Sequence, residues 1–80
     1  MKAVVTVSLK DGVLDPQGKA VEHALHGLGF SNVAEVRVGK VIRFDIDAPD
    51  EGAARAQAEE MGRRLLANTV IERFDVEVRP

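Results

Sequence analysis

Two groups of side chains are of the types that bind metals or transfer protons. His23 and His26 lie three residues apart beside Glu22, and on a helix that spacing can place two imidazoles on one metal ion. They lie opposite the apolar positions of the same segment, and the chain has no other His and no Cys. An exposed polar helix face explains them more simply, so we expect no metal site.

The second group is acidic and could hold a hard cation or flank a substrate as paired carboxylates. Its members are Asp45, Asp47, Asp50 and Glu51. The first two fall on a strand face away from the predicted core, and the others begin a helix, where its dipole favours acidic residues. The sequence contains no arrangement of Ser, His and Asp that suggests a nucleophile. It also lacks the glycine spacing of a dinucleotide-binding or phosphate-binding loop. We therefore expect no catalytic residues in this chain.

Composition limits what else the chain can be. Its 80 residues suffice for one domain, residues 1–80, and a domain of this size has a thin core. With three Phe, no Tyr or Trp and no Cys, we expect a second subunit to stabilise it. The net charge of −2 provides no basic stripe for nucleic acid. No apolar run suits a signal or a membrane span, so we expect a cytoplasmic protein.

The first half of the chain has the pattern of a strand followed by a helix. Alternation over residues 2–10 predicts a half-buried strand. Asp15 and Pro16 are typical of an N-cap and first helical position, and we predict a helix over residues 16–28 that ends in a Schellman motif at Gly29 and Phe30. Its apolar stripe is Val21, Ala24, Leu25 and Leu28. Gly18 replaces the Glu of a capping box, which indicates either close backbone approach or an unoptimised helix start.

Residues 33–38 predict a second strand, and Gly39-Lys40 a hairpin into a third strand marked by Ile42, Phe44 and Ile46. A two-residue loop would pair Val38 with Val41 and misalign the apolar faces of the two strands. We therefore predict an irregular corner of three residues, Gly39-Lys40-Val41. The alternative is a sheet that buries part of both faces, which would itself indicate oligomerisation.

The remaining chain predicts a helix and a last strand. Acidic residues precede the helix, whose apolar stripe is Ala54, Ala58, Met61 and Leu65, and Asn68 is a candidate left-handed cap. The strand alternates at Phe74, Val76 and Val78 after a bend near residues 70–71. The order β-α-β-β-α-β predicts a two-layer α+β fold of ferredoxin-like order, with two helices on one face of an antiparallel sheet. We expect it to be dimeric.

Three runs of the sequence resemble the PurS family, the small subunit of bacterial phosphoribosylformylglycinamidine (FGAM) synthase. They are Lys10 with VLDPQGKAV (residues 13–21), VRVGK (36–40) and LLANTVIE (65–72). They occur in the family's order and spacing and are distributed over most of the chain. The second helix departs most from the family pattern, because residues 53–58 are unusually rich in Ala.

The resemblance implies a non-catalytic assembly subunit of purine biosynthesis. It would form a homodimer or larger oligomer, bridge a glutaminase subunit and a synthetase subunit of one ATP-dependent amidotransferase, and assist ammonia transfer between them. No cofactor is expected on this chain, whereas the assembled enzyme uses ATP and Mg²⁺. The matching runs supply the candidate partner contacts, which are Asp15, Gln17, Gly18, Arg37, Gly39, Lys40, Asn68 and Thr69.

Two other functions remain open from the residues alone. One is a stand-alone regulatory domain that binds a small molecule between subunits. The other is a small dimeric enzyme that uses Asp45 or His23.

Overall fold

The computed structural model describes all 80 residues. Three strands and two α-helices follow one another as β1 (Lys2–Leu9), α1 (Pro16–Gly27), β2 (Lys40–Asp45), α2 (Glu51–Met61) and β3 (Glu72–Arg79). A π-helical turn, Gly62–Leu66, continues α2. The chain is thus α+β with the order β-α-β-α-β.

The strands form one antiparallel sheet in the order β2-β1-β3. Val5 of the central strand pairs with Ile42 on one side and with Val76 on the other, so the apolar positions of all three strands share a face. Ala3, Val5 and Val7 are buried there. The predicted ferredoxin-like α+β class is confirmed, because β1 lies at the centre of the sheet with β2 and β3 on either side.

Helix α2 covers the apolar face along β1 and β3. Ala54 and Ala58 are fully buried, and their small side chains let the helix lie close to the sheet. The prediction that the apolar stripe extends to Leu65 is wrong, because Leu65 is 82% exposed. The π-helical turn adds a residue to the helical repeat, and Ala67 turns inward instead. Gly62 lies against Phe74, where an added Cβ would be 2.4 Å from the ring.

The predicted strand over residues 33–38 is wrong for the single chain. These residues form no ladder with another strand. The predicted corner at Gly39-Lys40-Val41 is wrong as well, because Lys40 begins β2 and Val41 lies within it. The physical reason is that side chains of α1, rather than a neighbouring strand, bind the backbone N–H groups of residues 36 and 38.

Helix α1 begins and ends as predicted. Asp15 caps it, Pro16 is its first residue, and the Phe30 N–H donates to the Leu25 carbonyl while Gly29 has φ +99°, which is a Schellman motif. However, α1 does not lie over the sheet. Together with residues 33–38 it forms an arm, which we define as residues 15–39.

The arm makes the protein elongated. Its dimensions are 50 × 25 × 14 Å and its radius of gyration is 15.9 Å, whereas a compact chain of this length would have a radius of about 12 Å. The apolar stripe of α1 is left open, with Val21 42% and Leu28 74% exposed. The placement of two helices on one sheet face is therefore not reached within one protomer.

Candidate functional site

The base of the arm is organised by a buried carboxylate. Asp15 is 5% exposed, and its two oxygens accept hydrogen bonds of 2.8 Å from the N–H groups of Gly18 and Val38. These bonds, chiefly the one from Val38, lower the pKa of Asp15, although burial opposes the shift. One side chain thus caps α1 and fixes the end of the returning segment beside it.

Two further side chains of α1 continue this attachment towards the tip of the arm. Glu22 accepts from the Val36 N–H at 3.2 Å, and His26 donates from Nε2 to the Val33 carbonyl at 2.7 Å. The bond from Val36 is the main cause of a lowered pKa at Glu22. From the sequence we expected Glu22 and His26 on an exposed polar face, and this contact was not predicted. The sequence did contain a signal for it. Glu22 follows Asp15 by seven residues and His26 follows Glu22 by four, and this spacing places all three side chains on one helix face.

Gly18 sits where α1 and the returning segment touch. It is buried, and an added Cβ would lie 2.1 Å from the Val36 carbonyl oxygen. The hypothesis of a close backbone approach is thus supported by the geometry. The approaching backbone belongs to the same chain, so the absent side chain serves the arm's own packing.

Lys10 joins three parts of the chain at the base of the arm. Its N–H donates to the Ile71 carbonyl at 2.8 Å, and its carbonyl accepts from the Arg37 guanidinium at 3.2 Å. Val13 donates to the same carbonyl and closes the turn before α1. The runs VLDPQGKAV, VRVGK and LLANTVIE therefore converge around one residue, which was not among the predicted contacts.

The turn after the π-helix is held by Asn68, which does not have the predicted left-handed conformation. Its side-chain oxygen accepts from the Val70 N–H at 3.2 Å, and its own N–H donates to the Glu72 carboxylate at 2.7 Å. The side chain therefore orders the turn without a positive φ. Leu65 and Val70 on either side of it are 82% and 80% exposed.

The predicted contact residues divide into two kinds. Asp15 and Gly18 are buried within the protomer and shape the arm. Six others are exposed around its base, namely Gln17, Arg37, Gly39, Lys40, Asn68 and Thr69. We call these six, together with Lys10, the docking surface. Gly39 also lies close to β1, since an added Cβ there would be 2.6 Å from the Val7 carbonyl oxygen.

The groups first considered for chemistry do not assemble. Asp45 forms an ion pair of 2.6 Å with Lys2, which lowers the pKa of Asp45, and Asp50 caps α2. No three His, Asp or Glu side chains converge in a metal-binding geometry. The two clefts are open and mostly polar, with three of eight and two of nine lining residues apolar. Small-molecule sites are usually lined mainly by apolar groups, so neither cleft favours one. No helix has the length and apolar character needed to cross a bilayer.

Comparison with known proteins gives a consistent result. The PurS family profile, described as phosphoribosylformylglycinamidine (FGAM) synthase, matches residues 2–80. The PurS subunit of that synthase from Bacillus subtilis is 48% identical over 77 residues, which is 96% of this chain and 90% of that protein. A crystal form of B. subtilis PurS superposes with a TM-score of 0.88 at 47% identity, covering 99% of this chain and 98% of that one. A chain in the structure of PurLQS from Thermotoga maritima superposes with a TM-score of 0.86 at 28% identity, covering 95% and 93%. The chain belongs to the PurS family of FGAM synthase.

Proposed function

We propose that this chain is the non-catalytic small subunit of FGAM synthase, bridging a glutaminase subunit and a synthetase subunit and assisting the passage of ammonia between them. The observation that carries the proposal is the convergence of the three family-like runs on Lys10. It creates an ordered surface rather than a reactive cleft. The structure of PurLQS, which holds a chain with the same fold, supports an assembly role.

The chemistry of the assembled enzyme would lie on its partners. ATP and Mg²⁺ would be used by the synthetase subunit in the cytoplasm, and this chain would bind neither. A bridging subunit must keep bulk water out of the transfer path, because protonated ammonia loses its nucleophilicity. A surface already held by hydrogen bonds suits this role, since ordering flexible loops on binding would cost affinity.

A homodimer is the second part of the proposal. The arm leaves a line of apolar side chains in solvent, with Leu14 72%, Val21 42% and Leu28 74% exposed. Large apolar side chains left exposed along one helix support a role as a protein interface. The small core, in which Val5 and Val7 are the largest fully buried side chains, gains from a second subunit.

Reconstitution tests the assembly role. The chain is mixed with purified glutaminase and synthetase subunits, and FGAM synthesis is measured with glutamine and separately with ammonium salts. We expect glutamine-dependent synthesis to need this chain, while ammonia-dependent synthesis by the synthetase needs it less. If omitting the chain changes neither rate, the proposal is wrong.

Charge reversal at the docking surface gives a sharper test. Arg37→Glu removes the hydrogen bond to the Lys10 carbonyl and reverses the charge where the three runs meet. We expect glutamine-dependent synthesis to fall and co-elution with the partner subunits to weaken. Arg55→Glu, a similar exposed arginine on α2, is the matched control and should leave both intact.

A further inference from the structure

The turn between α2 and β3 exposes a cluster of large aliphatic side chains. Leu65 and Val70 are 82% and 80% exposed, and Ile71 is 39% exposed. Single exposed apolar side chains are ordinary on protein surfaces, but these three lie close together in a chain whose largest fully buried side chains are only valines. We define residues 65–71 as the apolar turn. Its exposed aliphatic side chains contribute little to the core, which indicates a use outside the protomer.

The π-helical turn at the end of α2 accompanies the exposure of Leu65. The periodicity of a regular α-helix would continue the stripe of Ala54 and Ala58 to Leu65. In the π-helical repeat, which holds one more residue per turn, Ala67 is buried instead. Turns of this kind are frequent at functional sites. The local conformation thus presents a leucine to solvent at a position where periodicity predicts burial.

Hydrogen bonds within the chain hold the backbone of the apolar turn. The Asn68 carbonyl accepts from the N–H groups of Ile71 and Glu72 at 3.0 and 2.7 Å, and the Asn68 side chain accepts from the Val70 N–H. The Glu72 carboxylate accepts from the Asn68 N–H, and the Ile71 carbonyl accepts from the Lys10 N–H. A turn that is already ordered loses little entropy on binding, so its aliphatic side chains are ready for a partner.

Cationic side chains border the apolar turn. Arg63 and Arg64 precede it, and they share a single carboxylate, that of Glu60, at 3.0 and 3.8 Å. Arg73 follows the turn in β3, and Lys10 is joined to it by the backbone hydrogen bond just described. The carboxylate that follows the turn is already bonded to a backbone N–H. This end of the protein is therefore positive, although the whole chain has a net charge of −2.

We infer that the apolar turn inserts into an apolar pocket edged by carboxylates on one partner subunit of the synthase. The inference rests on the function proposed above and adds an anchor to the docking surface, with which the turn is continuous because Asn68 and Thr69 belong to both. Buried apolar side chains at the centre of an interface and charged side chains at its rim are the usual arrangement between proteins. Complementary charges at the rim speed association and select the partner.

Other occupants fit the apolar turn less well. A two-fold contact between copies of this chain places a surface against itself, so the cations of one copy would face those of the other, which opposes association. Proteins that bind single-stranded nucleic acid use aromatic side chains as stacking platforms, and residues 65–71 include none. Segments that bind membrane surfaces are amphipathic helices, whereas these aliphatic side chains lie on a tight turn.

Matched substitutions to serine test the anchor. Leu65→Ser and Val70→Ser shorten side chains that are mostly in solvent, so the melting temperature should change little. We expect each to weaken binding to one partner subunit by roughly tenfold, as loss of a buried interface side chain does, while Leu65→Met retains it. Val41→Ser, the same change at an exposed valine of β2, is the control. Biolayer interferometry against each purified partner subunit, and co-elution of the complete mixture, measure the effect.

The rim is tested by charge. Arg64→Gln should lower the association rate with the same partner subunit roughly twofold to tenfold at low salt and flatten its dependence on ionic strength. Arg79→Gln removes an exposed cation at the other end of β3 and should leave both unchanged. An equal response of the two variants would contradict a carboxylate-edged pocket.

Four outcomes would overturn the inference. Equal affinities of the unmodified chain, Leu65→Ser and Val70→Ser for both partner subunits would remove the anchor and leave the assembly role standing. A changed oligomeric state with unchanged partner affinity would assign the turn to a contact between copies. Binding to phosphatidylserine vesicles that Leu65→Ser abolishes would assign it to lipid. An unmodified chain that binds neither partner subunit, separately or together, would remove the proposed function as well.

Discussion

The two α-helices begin by the same local rule and end in opposite environments. Asp15 and Asp50 each accept a 2.8 Å bond from the N–H three residues ahead, as N-caps do. Yet α2 buries Ala54 and Ala58 against the sheet, whereas Gly18 is the only buried residue of α1. The half of the protein around α2 is held by apolar packing, and the arm is held by hydrogen bonds to backbone.

This difference indicates separate roles for the two halves of the protein. Apolar packing of α2 on β1 and β3 gives a small core that lies within one protomer. In the arm, polar side chains form hydrogen bonds with residues 33–38. Its apolar side chains and a strand edge are left in solvent. A region held in this way is ordered enough to be recognised and open enough to be covered by a second subunit.

The largest effect that we expect comes from a charge in the core of the α2 half. Val5 is 0% exposed, and an unpaired buried carboxylate costs several kcal/mol, comparable with the whole stability of a small domain. Val5→Asp should abolish cooperative thermal unfolding measured by circular dichroism. Val41→Asp, the same change at a 48% exposed position on the same sheet, should cost no more than about 1 kcal/mol. Equal losses would contradict the assignment of the core.

Two glycines of α1 should respond oppositely to alanine. Gly18→Ala forces a shift of the Val36 carbonyl and should cost about 1–3 kcal/mol, as overpacking does. Gly27 has no atom within 4 Å of an added Cβ, so Gly27→Ala should stabilise the helix by about 0.5–1 kcal/mol. Chemical denaturation with amide exchange at Val36 measures both. A stabilising Gly18→Ala would show that the arm does not close on this glycine.

Removing the two N-cap side chains should affect different numbers of backbone hydrogen bonds, because Asp15 accepts from two N–H groups and Asp50 from one. Asp50→Ala removes one cap and should cost α2 about 1 kcal/mol. Asp15→Ala removes a cap and also the acceptor of the Val38 N–H, so amide exchange should accelerate at both ends of the attachment. We expect roughly tenfold faster exchange at Val38, somewhat more than loss of one cap alone gives. Unchanged exchange at Val38 would show that Asp15 does not hold residues 33–38 in place.

The smallest effect is a dependence of the arm on pH. The pKa values of Asp15 and Glu22 are lowered in the folded protein, so their contribution is complete above their usual values of about 4. It is lost as the pH falls through the lowered values. Amide exchange at Val36 and Val38, followed by NMR below pH 5, should accelerate before that of β1. Glu22→Gln should flatten the profile at Val36 and leave the profile at Val38 unchanged.

The sequence predicts local structure accurately where the causes are local. The cap at Asp15, the Schellman motif at Gly29 and the alternation of β1 and β3 depend on neighbours within a few residues, and all were confirmed. The stripe of α2 was predicted correctly only as far as Ala58. In the π-helical turn that follows, Gly62 lies against Phe74. Phe74 belongs to a different element, so this contact cannot be read from periodicity.

The docking surface divides in the same way. The three runs named its parts, and their spacing identified the family. The sequence did not show that they meet at Lys10, because the bonds to Ile71 and Arg37 join residues far apart in the chain. Glu22 and His26 were assigned to solvent for the same reason, since their acceptor and donor partners lie on the returning segment.

The sequence by itself determined the types and ends of most elements and the PurS family. Only the tertiary structure decided that residues 33–38 leave the sheet. Their alternating pattern satisfies a strand, but a pattern does not specify which chain or side chain accepts the N–H groups. Asp15, the N-cap of α1, and Glu22 within α1 accept these N–H groups, so the segment leaves the sheet.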